Sequence, residues 1–183
     1  SVAWLAEMLG CRVATLAGGY KSFRRWVIGT TGLGREIHVV AGLTGTGKTR
    51  VIHALAERGE NVVDLEKLAH HKGSAFGDLG EDPQPTQEQF ENDVAMTWRN
   101  TRPDAPVWLE DESQNIGKRT LPGPLWQAKK AGRFHLLELP DEARLAHLVD
   151  VYTNHPAEVL ITRIEGIHKR LGGERTAAAA QAV

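Results

Sequence analysis

Gly42-Leu43-Thr44-Gly45-Thr46-Gly47-Lys48-Thr49 is the stretch that decides the fold, and it fits the pattern G-x-x-x-x-G-K-[ST] at every fixed position. Glu36 to Ala41, just before it, is a nearly continuous apolar run and predicts a strand buried at the centre of a parallel sheet. Lys48 to Arg58, just after it, predicts a helix. A strand, a glycine-rich turn and a helix in that order make a phosphate cradle. The glycines let successive backbone N–H groups turn inward as a nest. The helix start adds unsatisfied donors and a partial positive charge. Lys48 brings a full charge to the outer phosphate, and the Thr49 hydroxyl is placed to ligate Mg²⁺. The candidate phosphate-binding residues are therefore Gly42, Thr44, Gly45, Thr46, Gly47, Lys48 and Thr49.

The pattern continues downstream as alternating strands and helices. Strands are predicted at Asn61 to Leu65, Pro106 to Leu109 and Phe134 to Leu139. Helices are predicted at Thr86 to Asn100, Leu125 to Ala131, Asp141 to Tyr152 and Ala157 to Leu171. Thr86 with Gln89 reads as a capping box, and Asp141 reads as a cap. A Gly/Pro/Asp-rich loop separates the two halves between His71 and Pro85, and Thr176 to Val183 is an alanine-rich helix stub. The expected fold is α/β, a P-loop NTPase-like, mostly parallel, doubly wound sheet. Upstream, Val2 to Leu9 and Tyr20 to Val27 predict helices, Arg12 to Leu16 a strand, and Gly29 to Gly34 a linker. The expected division is 1–28, a linker at 29–35, and a P-loop domain at 36–183. The chain opens without Met in mid-helix pattern and ends without a closing feature, so both edges are expected to be cuts.

With 183 residues, 41% of them hydrophobic, the chain can bury a core. Its 22 basic and 23 acidic residues nearly cancel, so an RNA partner needs a local basic surface rather than overall charge. A single cysteine, Cys11, excludes a disulfide framework and suits a reducing cytosol. No apolar run reaches the ~20 residues of a membrane span.

A phosphate loop needs a carboxylate at the end of a neighbouring strand to hold the metal. Val107-Trp108-Leu109-Glu110-Asp111-Glu112 supplies it, with Glu110 favoured and Asp111 next. Asp64 and Glu66 also point toward the carboxyl edge of the sheet, where open α/β sheets bind ligands. Asp64 is a candidate base, alongside Lys48 and Glu110 as catalytic residues. Arg144, Arg163 and Arg170 are candidate lid residues over phosphates. Trp126 is the one tryptophan considered for a ligand. Apart from any resemblance, these residues suit a P-loop small-molecule kinase or a non-catalytic nucleotide- or RNA-binding switch.

Several strings together resemble one family. Leu16-Ala17-Gly18-Gly19-Tyr20-Lys21-Ser22-Phe23-Arg24 resembles the end of a rhodanese domain. The Gly42 to Thr49 loop, Asp64 to Ser74, and Trp108 to Ser113 resemble the P-loop domain that follows it in tRNA 2-selenouridine synthases, and Lys169 to Gly173 resembles a later segment. The resemblance implies replacement of the sulfur of wobble 2-thiouridine in tRNA by selenium from selenophosphate, through an S-geranylated intermediate made with geranyl diphosphate. It implies that the loop holds a diphosphate and that ATP is not clearly required, with Mg²⁺ a possible cofactor. It also places the family's rhodanese cysteine upstream of this chain, so Cys11 does not inherit that role and the chain alone is expected to lack selenium transfer.

Overall fold

The computed structural model describes residues 2–183. Its organising feature is a parallel sheet of four strands in the order β2-β3-β1-β6. These are β1 (Ile37–Gly42), β2 (Asn61–Val62), β3 (Val107–Glu110) and β6 (Arg133–Leu137). A two-stranded antiparallel ribbon, β4 (Asn115–Ile116) with β5 (Arg119–Thr120), lies outside it. The helices are α1 (Val2–Met8), α2 (Gly19–Thr30), α3 (Lys48–Glu57), α4 (Leu65–Ala69), α5 (Gln87–Arg99), α6 (Gly123–Lys130), α7 (Asp141–Tyr152), α8 (Ala157–Gly166), α9 (His168–Leu171) and α10 (Gly173–Gln181).

Strand alternation sorts the packing. Ile37 and Val39 of β1, with Val107 and Leu109 of β3, enter one buried cluster with Phe90, Val94 and Trp98 of α5 and Leu125 of α6. Val40 points to the other face and is buried there, as is Ile52 of α3, which packs across β1, β2 and β3. Helices thus cover both faces, and the first strand is central because its neighbours β3 and β6 pair with it on either side.

Several local expectations change in three dimensions. The strand predicted at Asn61 to Leu65 is only two residues long, because the Asp64 carboxylate accepts a hydrogen bond from Lys67 N and starts α4 at Leu65. Arg12 to Leu16 forms no strand; among the described residues no neighbouring strand pairs with it. The predicted linker is packed instead. Helix α2 runs on to Thr30, Val27 and Thr31 are fully buried, and the helix lies against α5 and α6. Thr86 caps α5 by accepting from Gln89 N, but the Gln89 side chain donates to Asp93 rather than closing the box. Asp141 is the first residue of α7 and not its cap; Pro140 holds that position, and the Asp141 carboxylate pairs with Arg144. The long last helix breaks at Ile167 into α8 and α9.

Candidate functional site

The loop between β1 and α3 opens at the carboxyl edge of the sheet, on a cleft of about 650 Å³. Gly45 and Gly47 take φ of 86° and 79°, a region that side chains disfavour, and Gly47 starts α3 with no side-chain cap on the helix's first amides. At Gly45 a Cβ would meet the Arg144 carbonyl at 2.8 Å and the Leu148 side chain at 3.0 Å, so α7 rests directly on the loop. Thr46 is turned inward: its hydroxyl and its amide both donate to Leu43 O, at 2.8 and 3.1 Å. Lys48 lines the cleft and donates to Gly42 O at 3.1 Å.

Three carboxylates face the loop. Glu66 of α4, Glu110 at the end of β3 and Glu112 just beyond it offer oxygens that all lie within 4.8 Å of one another. The Thr49 hydroxyl stands 3.3 Å from both Glu66 Oε2 and Glu110 Oε2. Glu110 is 1% exposed, and its Oε1 is a buried acceptor without a protein donor. Burial, with Glu110 and Glu112 adding repulsion, pushes the Glu66 carboxyl up to about 9. Burial, then the charges of Asp64 and Glu112, pushes Glu110 up to about 7. Glu112 is raised as well, chiefly by burial. Like charges this close do not all ionise without a compensating cation. An all-oxygen set of carboxylates and a hydroxyl, with an orphaned buried oxygen among them, fits a hard divalent cation such as Mg²⁺.

The rest of the cleft lining comes from α7 and from the loop after α4. Leu148, Val151 and Tyr152 of α7, with Leu43, give it an apolar lining, and His147 lies among them. The Tyr152 hydroxyl is 3.1 Å from Ser74 Oγ, tying α7 to the loop. Gly73 lies so close to the Glu112 carboxylate that a side chain there would collide with it.

The sequence candidates therefore fall into two groups. Gly42, Thr44, Gly45, Gly47, Lys48, Thr49, Glu110 and Asp111 line one cleft, and Thr46 shapes its loop. Other candidates lie elsewhere. Asp64 does not line the cleft: it caps α4, and its other oxygen meets His53 Nε2 at 2.9 Å. Asp111 borders the cleft, but its Oδ1 accepts from Lys129 Nζ at 2.7 Å, and Glu112 takes the place beside Glu66 and Glu110 expected for it. Arg144 donates to Thr44 O at 3.1 Å and pairs with Asp141, so it braces the loop from outside. Arg163 pairs with Asp78 at 2.5 Å in a separate groove. Arg170 lines a neighbouring groove with Thr44, Gly73 and Ser74. Trp126 lies beneath Lys129 and Lys130 and outside the cleft. Sequence reading missed Glu112 and the whole α7 wall. The i, i+2 spacing of Glu110 and Glu112 was the available signal for the first; the second had none, because α7 reaches the loop only through tertiary packing.

A parallel sheet, a glycine-rich turn with its lysine and threonine, and acids on the adjacent strand define a P-loop domain of the NTPase-like class. The profile described as the tRNA 2-selenouridine synthase AAA domain matches residues 35–183, and the chain belongs to that family. The tRNA 2-selenouridine synthase of Shewanella loihica is 40% identical over 94% of this chain and 50% of its own length. Those of Hydrogenovibrio crunogenus and Pseudomonas putida are 39% and 35% identical, over 94% of this chain and 52% of their own lengths. The chain thus spans about half the length of these relatives. No solved structure matches it. No helix of the described residues is long and apolar enough to cross a membrane.

Proposed function

We propose that the cleft binds the diphosphate of an allylic prenyl diphosphate, geranyl diphosphate, as part of an enzyme that converts wobble 2-thiouridine of tRNA to 2-selenouridine. The observation that carries this reading is the mixed lining of the cleft. Beside Lys48 and the P-loop backbone it is lined by the apolar side chain of Leu43, in the loop itself, and by Leu148, Val151 and Tyr152 of α7. That pairing suits a ligand with a charged head and a hydrocarbon tail.

In the first half-reaction the thiouridine sulfur attacks the terminal carbon of the geranyl chain. A carbon–sulfur bond forms, the carbon–oxygen bond breaks, and pyrophosphate leaves. The backbone amides at Gly45 and Gly47 and the Lys48 ammonium stabilise the charge that develops on the leaving oxygens. Thr49, Glu66, Glu110 and Glu112 would hold Mg²⁺, which supplies further charge neutralisation when bound. The apolar wall holds the chain and keeps water from the reacting carbon. The selenium of selenophosphate then attacks C2 of the base: a carbon–selenium bond forms, the carbon–sulfur bond breaks and geranylthiol leaves, and water cleaves the selenium–phosphorus bond to release phosphate, steps assigned to the whole protein together with residues 1–28 as the tail of a rhodanese unit. The setting is the cytoplasm.

Lys48→Ala is expected to reduce binding of geranyl diphosphate at least a hundredfold by calorimetry, with circular dichroism unchanged. Wild-type protein is expected to bind geranyl diphosphate more tightly than ATP. Equal affinity of wild type and Lys48→Ala, or a clear preference for ATP, overturns the reading.

A further inference from the structure

Asp111 sits between two acids of the trio and borders the cleft itself, yet its carboxylate is held by Lys129 rather than joining them. The cause is visible in the loop. Asp111 N donates to Val40 O of the central strand at 2.9 Å, and Glu112 N donates back to Glu110 O at 2.9 Å, so the chain turns sharply at Asp111. On the outer side of that turn stands Lys129 of α6, 2% exposed. Its ammonium donates to Asp111 Oδ1 at 2.7 Å and to the Glu112 carbonyl, and it lies over the Trp126 ring at 5.1 Å. A buried ammonium needs a counter-charge and hydrogen-bond acceptors. Here it finds them in the carboxylate of one residue and the backbone of the next.

We infer that Lys129 is a positioning residue for the cation site: by capturing Asp111 and the Glu112 carbonyl it fixes the turn that aims Glu110 and Glu112 together at Thr49. This rests on reading the acidic trio as a divalent-cation site. Lys129 touches none of the reacting atoms. Without its ammonium the turn has no anchor on α6, Asp111 is released, and Glu112 loses its fixed aim. Outer-shell contacts of this kind typically alter metal affinity by roughly 10–100-fold.

The test is a titration of the chain with Mn²⁺, read by electron paramagnetic resonance of the free ion, with pyrophosphate binding measured separately in metal-free buffer. Wild type is expected to bind one Mn²⁺. Lys129→Met is expected to bind it at least tenfold more weakly while retaining metal-free pyrophosphate affinity. If wild type binds no Mn²⁺, the cation-site reading itself fails. If wild type binds and Lys129→Met binds equally well or better, only the role of Lys129 fails; a released Asp111 acting as a ligand would give the stronger binding. Asp111→Asn, made on the half-exposed partner, guards against a Lys129 variant that does not fold. Because Lys129 then keeps only the Glu112 carbonyl as an anchor, this variant is expected to weaken Mn²⁺ by about threefold to tenfold, against roughly a hundredfold or more for Glu110→Gln. An unchanged affinity in Asp111→Asn leaves the ion pair no role and overturns the inference, and so does a loss equal to that of Glu110→Gln, which makes Asp111 itself a ligand.

Discussion

Glu66 and Glu110 hold protons at pH values where ordinary carboxyls have lost them, and this has a consequence for stability. Their carboxyls are raised from 4.5 to about 9 and about 7, first by burial and then by neighbouring acids. The folded protein therefore binds more protons than the unfolded chain in the window between those values. Their stabilising contribution is complete below about 4.5 and is lost as pH rises through about 7 and then about 9. The melting temperature of the metal-free protein is expected to fall from pH 5.5 to pH 9, measured by calorimetry with a chelator present. Glu66→Gln, which mimics the protonated form, is expected to flatten that fall, and excess Mg²⁺ to oppose it. A flat wild-type profile would mean that the trio is not strained by its own charge. At this scale the P-loop residues were legible because each is fixed by local chain geometry. The choice of Glu112 over Asp111 was not, because it depends on Lys129, 17 residues further on.

Among the elements, the strand–loop–helix unit of β1 and α3 was readable from its pattern, since apolar run, glycines and helix start are all local signals. Helix α5 was readable for the same reason. Its cap is real: Thr86 Oγ1 accepts from Gln89 N at 3.1 Å. Thr86→Ala is expected to cost about 1 kcal/mol in urea unfolding with an unchanged slope. Strand β2 was overread. Its apolar residues Val63 and Leu65 are fully buried, as a strand's would be, yet the Asp64 cap hands the chain to α4 after only two strand residues. Burial and strand geometry are different properties, and an apolar run reports only the first. The 115–120 ribbon was missed because its strands are two residues each, too short for any alternation to show.

Across the whole molecule, α2 belongs physically to the P-loop unit. Arg24 bonds to Glu91 and Asn92 of α5, Tyr20 to Glu88, and Val27 is fully buried. At Gly32 a Cβ would strike the Leu125 backbone at 2.5 Å, so the chain after α2 is seated against α6. Removing residues 1–28 is expected to lower stability by more than about 2 kcal/mol, since Val27 and its contacts go with them. Removing residues 1–17, which leaves α2 whole, is expected to cost much less. Chemical denaturation of the two truncations decides it, and equal stabilities would make 28 a true boundary.

The sequence by itself determined the phosphate loop, the parallel α/β class and the family, because a nest of amides, a buried strand and a string of motif residues are all set within a few positions of one another. Only the tertiary structure decided which acids meet Thr49, that Arg144 and Arg163 are held by other partners while Arg170 lines a neighbouring groove, and that α7 adds apolar side chains to the cleft that Lys48 lines. Those outcomes come from contacts between residues far apart in the chain, where burial and competing charges choose among side chains that look equivalent in one dimension.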